Sequence, residues 1–193
     1  MKSQQIVALV FLFLSGCGYH MRGDERPFFK IHDLHTLFVY PVQNNSYKAG
    51  VEIIVYNAVR KRFSQGGYIK IVDKAEQADA LIAAIVQQAD FSPLAITTAD
   101  KIASSGTIPG PGSVQIASSY QVNLSVQFTL TDSKKKNLWS DVVSKNKSFA
   151  ASNYLGTLGS TTALINEGEF EKTLGDLSVG IATDAEESIN TIF

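Results

Sequence analysis

The chain is 193 residues long, 45% hydrophobic and 18% charged, with 17 basic against 18 acidic residues and a formal net charge of −1. That length makes one domain with a core of ordinary size, and the balanced charge lacks the global electrostatic signature of a nucleic-acid binder. Cys17 is the only cysteine, which excludes an internal disulfide, so packing has to stabilise the fold.

Lys2 gives the N-terminus a thin positive charge, and Ile6 to Leu14 is an apolar run of nine residues. The run is too short to cross a bilayer, which takes about 20 residues, and has the size of a signal-peptide core. Leu14-Ser15-Gly16-Cys17 closes it and resembles the lipobox of bacterial lipoproteins. An ordinary secretory signal with an incidental cysteine is the plainer reading, but Cys17 falls where the lipobox requires it and occurs nowhere else. The resemblance implies cleavage after Gly16 and covalent lipid on Cys17, as a thioether-linked diacylglycerol plus an N-acyl chain. Each buried methylene contributes about 0.8 kcal/mol, so several chains anchor firmly. Gly18, where inner-membrane lipoproteins carry Asp, points to the outer membrane. Residues 1–16 are therefore expected to be a signal peptide, 17–35 a lipidated leader, and 36–193 a single domain. Losing Lys2 leaves 16 basic against 18 acidic residues, a charge of −2.

The leader reads as polar and irregular and carries all three histidines. Thr36 to Val42 reads as a first strand. Ala49 to Gln65 carries Val51, Val55, Ala58 or Val59, and Phe63 at helical spacing. Arg60, Lys61 and Arg62 suit the negative end of that helix, and Gly66-Gly67 stops it. Tyr68 to Val72 is a short second strand, and 73–79 a polar turn. Ala80 to Ala89 is apolar on both faces and fits a buried strand or a helix. The unbroken Leu81 to Val86 run, closed downstream by Pro93, favours the strand. Residues 94–117 read as a Gly/Pro/Ser/Thr-rich loop, open to either partner contact or plain disorder. Tyr120 to Leu130 alternates apolar and polar side chains, the pattern of a half-buried strand. A turn at 132–137 and a partner strand at 138–149 complete an antiparallel hairpin. Phe170, Leu174, Leu177, Ile181, Ala185, Ile189 and Ile192 make one stripe of a long final helix, which Gly175 and Gly180 weaken. The expected fold is α+β, a mixed sheet of about four strands with two helices packed on one face.

The opening Cys17-Gly18-Tyr19-His20-Met21-Arg22-Gly23 resembles that of LptE-family lipoproteins. Collinear matches follow at Val39-Tyr40-Pro41-Val42-Gln43-Asn44, at Asn57 to Phe63, at Ile71-Val72 with Ala75 to Ala80, at Tyr120 to Asp132, and at Leu138-Trp139. The enlarged 97–117 loop and the late-starting final helix depart from the family pattern. The resemblance implies a non-enzymatic outer-membrane lipoprotein that plugs an LptD-like β-barrel, assists its assembly, and serves lipopolysaccharide transport to the outer leaflet. Its partners would be the barrel, lipopolysaccharide and outer-membrane lipid, with no nucleic acid.

The chain has no nucleophile elbow, P-loop or dinucleotide fingerprint, and no cofactor beyond the lipid on Cys17 is expected. His32 and His35 flank Asp33 without a third ligand nearby, so they read as a solvated segment and not a metal site. Glu167, Glu169, Glu171, Glu186 and Glu187 read as the solvated face of the last helix. Trp139 reads as core. Lys134, Lys135 and Lys136 fit a hairpin turn kept soluble by charge, and are also the candidate contact for the phosphates of lipopolysaccharide. A second reading is an outer-membrane lipoprotein that regulates a cell-wall synthase. The 18 residues after Cys17 reach at most about 65 Å, which favours a partner in the same membrane.

Overall fold

The computed structural model describes residues 27–99, 114–151 and 161–191. Its elements are α1 (Pro27–Ile31), β1 (Thr36–Val39), β2 (Gln43–Asn44), α2 (Val51–Gln65), β3 (Lys70–Ile71), a 3-10 turn (Ala75–Gln77), β4 (Ala80–Ala99), β5 (Val114–Asp132), β6 (Asn137–Ala150) and α3 (Thr161–Asn190). The sheet runs β3-β1-β4-β5-β6, with β2 also on β4. β1 and β2 are parallel to β4, and β3 is parallel to β1. β4, β5 and β6 form an antiparallel meander. The fold is α+β with a mixed sheet, as the pattern predicts, although the sheet has six strands where about four are expected.

α2 and α3 lie side by side on one face of the sheet and seal the core. Val51, Val55, Val59 and Phe63 of α2 meet Leu174, Ile181, Ala185 and Ile189 of α3 over Ile82, Val86, Val122, Leu124, Val126, Phe128 and Leu130. Val122 to Leu130 are buried at every even position while Gln121 to Thr129 are half-exposed; the alternation read from the sequence is this inside-outside pleat. Trp139 is buried against Phe128, with ring centroids 6.3 Å apart. The α2 stripe falls where its spacing places it, and Gly50, at φ 87°, opens the helix. Ile192, the last member of the α3 stripe, lies outside the described residues.

Four boundaries differ from expectation. The strand read across 36–42 is broken, because Pro41 has no N–H to donate. β1 stops at Val39, the Tyr40 amide still donates to Ile82 O at 2.9 Å, and β2 resumes at Gln43. The strand read over 68–72 pairs only at Lys70 and Ile71. The strand expected to end before Pro93 continues to Ala99, and β5 begins at Val114, so both ends of the segment read as a 94–117 loop, residues 94–99 and 114–117, are strand. Past Val86, β4 has β5 on one side only, which makes that stretch an edge where proline is tolerated. Register shifts at Pro93/Ala95 and Ala95/Ile96 absorb its ring. Residues 100–113 lie outside the described ones. Finally, part of the leader read as irregular is helical. α1 drives Phe28 and Phe29 into the core, where Phe29 sits 6.2 Å from the Phe63 ring and 5.4 Å from that of Tyr68.

Candidate functional site

Three surfaces carry polar or charged groups in an ordered arrangement. The first is the β5–β6 turn. Asp132 Oδ1 accepts from the amides of Lys134 and Lys136, both at 2.8 Å, and the Asp132 carbonyl accepts from the Lys135 amide at 2.9 Å. Lys135 sits at φ 65°. The Ser133 amide donates to Asp79 O at 3.0 Å, fastening the turn to the start of β4. The backbone of the turn is therefore fixed, and Lys134, Lys135 and Lys136 are exposed around it.

The second surface is the sheet face without helices. On β5 it presents Gln121, Asn123, Ser125, Gln127 and Thr129, and on β6 Ser140, Val142, Ser144, Asn146 and Ser148. None of these carries a charge. The polar members bond among themselves: Ser125 to Ser144 at 2.8 Å, Thr129 to Ser140 at 3.3 Å, Gln121 to Asn123 at 3.1 Å, and Gln127 to Gln87 of β4 at 2.9 Å. A cavity of about 300 Å³ opens in this face, lined by Gln88, Asn123, Ser125, Ser144 and Asn146 among others. A second, largely apolar hollow of about 540 Å³ lies where β1 breaks, lined by Tyr40, Pro41, Val42 and Ile85.

The third surface is the opposite, helix-covered side, where the charges gather. Lys145 reaches Asp184 at 2.9 Å, Lys147 reaches Asp176 at 2.6 Å, and Ser188 donates to Asp141 at 3.2 Å, stitching β6 to α3. The Lys147 ammonium holds the Asp176 carboxyl below its usual range. Lys48, ahead of α2, binds Glu167 and, at 3.0 Å, Glu171, and lies 5.4 Å from the Phe170 ring. The hydrogen bond that Lys48 donates to Glu167, reinforced by Glu171 against the cost of burial, raises the Lys48 pKa.

Glu186 corrects a sequence reading. Its side chain is not solvated but 2% exposed, accepting from Arg62 Nε at 2.5 Å and from the Tyr68 hydroxyl. Glu167 and Glu171 are engaged by Lys48, while Glu187 is exposed. His35 Nε2 lies 3.0 Å from Asp33 Oδ1, both well exposed. Among the described residues no three His, Cys, Asp or Glu side chains converge as a metal site, and no helix is long and apolar enough to cross a membrane. Cys17 and His20 lie outside the described residues. The uncharged β5–β6 part of the open face is the feature that pattern reading missed. The polar positions of β5 are visible in the sequence, but their alignment with the serines of β6 depends on the hairpin register.

The sheet has one helix-covered face and one open, largely polar face. A model of the family described as LptE, lipopolysaccharide-assembly, matches residues 34–186; the chain belongs to that family. No curated protein matches the chain. Solved structures resemble it distantly. The rare lipoprotein B from Shewanella oneidensis is 16% identical, with a TM-score of 0.42, covering 80% of this chain and 93% of that one. PelC from Paraburkholderia phytofirmans, solved as a dodecamer, is 11% identical with a TM-score of 0.47 over 81% of this chain and 86% of that one. Lipoprotein GNA1162 from Neisseria meningitidis is 17% identical with a TM-score of 0.38 over 70% and 98%.

Proposed function

We propose that the protein is a non-enzymatic lipoprotein of the outer membrane, tethered through lipid on Cys17, that plugs and assists assembly of an LptD-like β-barrel through which lipopolysaccharide reaches the outer leaflet. The observation that carries this reading is the family match, which spans nearly the whole folded body. The form of the molecule agrees with it. A body whose open face is uncharged along β5 and β6, and whose β6–α3 charges are paired, can sit in a wet lumen without burying those ions unpaired. The fixed turn at Lys134, Lys135 and Lys136 offers three ammonium groups to the phosphates of the transported glycolipid, whose recognition by cations is strongest in a partly desolvated setting.

The test is capture of a C-terminally tagged copy from native outer membrane in mild detergent. A stoichiometric, heat-modifiable β-barrel protein is expected alongside it. Recovery of the chain alone, or with a cell-wall synthase, would overturn the plug reading. Replacing Lys134, Lys135 and Lys136 together by Glu is expected to weaken binding of lipopolysaccharide while leaving barrel capture intact.

A further inference from the structure

We infer that the cavity in the open face of the β4–β5–β6 meander is a subsite for a neutral saccharide. Besides Leu124 and Lys145, its lining is three carboxamides, Gln88, Asn123 and Asn146, and two hydroxyls, Ser125 and Ser144. Each of these groups both donates and accepts, as every sugar hydroxyl does. At about 300 Å³ the cavity is at the small end of ligand sites, a size for one or two sugar rings and not for a folded partner.

The surroundings exclude the other ligand classes. An anion would need a free cation. Lys145 borders the cavity, but its ammonium is held by Asp184 at 2.9 Å toward α3. A cation would need carboxylates. Asp90 is the one at the rim, and its two oxygens already accept from Asn123 at 3.1 Å and Gln88 at 2.7 Å. An apolar ligand would strip water from the amide atoms that Asp90 and Gln121 do not already engage, at about 1–3 kcal/mol for each one buried without a partner. A polyhydroxyl chain replaces that water group for group, and the carboxylate beside it, Asp90, is already engaged by Asn123 and Gln88.

The site is also prepared in advance. Asp90 fixes two of the amides, and the Ser125–Ser144 bond fixes the hydroxyls on paired strands, so little side-chain freedom is lost on binding. The same hairpin carries the lysine turn. From Ser125 to Asp132 is seven residues, about 23 Å of strand. A glycolipid with phosphates at one end and neutral sugars beyond can therefore touch the turn with the first and the cavity with the second. Which glycan it is rests on the lipopolysaccharide reading; the neutral-sugar chemistry does not.

The probe is the oligosaccharide released from lipopolysaccharide by mild acid and dephosphorylated with aqueous hydrofluoric acid, titrated into the full chain in detergent and followed by saturation-transfer NMR. Saturable binding is expected, weakened at least tenfold by Asn123→Ala with Asn146→Ala, and equally by the exposed substitution Ser144→Lys. The triple Lys134, Lys135, Lys136→Glu variant is expected to bind this phosphate-free probe as well as the parent does. Circular dichroism confirms that each variant is folded. No saturable binding, equal binding by the cavity variants, or loss in the lysine variant overturns the inference. So does loss of barrel capture by Ser144→Lys, which would make this face a barrel contact. Saccharide binding by a chain that captures no barrel supports the subsite and overturns the plug reading alone.

Discussion

Glu186 is a carboxylate on the buried side of a helix, between Ala182 and Ile189 in the stripe. Its acidic neighbours suggest a solvated face, but the helical period alone places it inside, four residues after one buried position and three before another. It persists there because Arg62 and the Tyr68 hydroxyl bring donors from α2 and the segment behind it. Glu186→Ala removes the acceptor and leaves those donors facing a hole, which costs about 1–3 kcal/mol; urea unfolding at neutral pH measures it. Asp79 is the second such residue. Its Oδ2 accepts from the Thr36 hydroxyl at 2.8 Å and from the amides of Thr36 at 2.9 Å and His35 at 3.0 Å. The Thr36 hydroxyl foremost, against a smaller cost of burial, lowers the Asp79 pKa. A carboxyl with a lowered folded pKa stabilises the fold above its unfolded value, about 3.9, and loses that contribution as pH falls through the folded pKa. Asp79→Asn is therefore expected to cost stability at pH 7 and progressively less as the pH is taken below about 4, as read from paired denaturant titrations. A penalty independent of pH would show that the geometry of the carbonyl matters and its charge does not.

Elements with long, regular periods were legible in the sequence and short ones were not. α2, the β5–β6 hairpin and α3 each repeat their apolar spacing over three or more turns or pleats, so the pattern outweighs local noise. α1 has five residues, too few for any period, and Phe28 and Phe29 announce a core contact without saying which element makes it. Pro93 misled in the other direction. Its meaning depends on whether a neighbouring strand needs its missing N–H, which is a property of the sheet and not of the segment. Glycine in α3 gives a test at this scale. A methyl group on Gly175 would meet nothing within 4 Å, so Gly175→Ala should recover most of the propensity difference of about 1 kcal/mol and raise Tm by about 2–4 °C. Gly180→Ala gains less, because its Cβ would come within 3.0 Å of the Lys145 side chain that bridges to Asp184.

At the scale of the whole molecule, charge is sorted by surface. The β5 and β6 positions of the open face are uncharged, the turn is basic, and the β6–α3 seam is paired. Composition could not reveal this, because a net charge of −1 is compatible with any arrangement. The tether is a separate matter from the fold. On the proposed anchoring, Cys17→Ala moves the chain from the membrane pellet to the soluble fraction without changing its unfolding midpoint; retention in the washed pellet would mean that protein contacts suffice to hold it. The sheet itself has a consequence in time. β5 and β6 are joined by a turn of four residues, Ser133 to Lys136, whereas Thr36 pairs with Lys70 and Leu37 with Ala80, 34 and 43 residues away. Chain closure disfavours the distant pairings until something holds the near ones. The hairpin is then the natural nucleus and the β1–β3 flank the last part to dock. Asp132→Ala, which loosens the turn, is expected to slow refolding with little change in unfolding, and Glu186→Ala to do the reverse. During biogenesis, a chain delayed at the second step would expose the apolar flank of β4 while already presenting a finished hairpin.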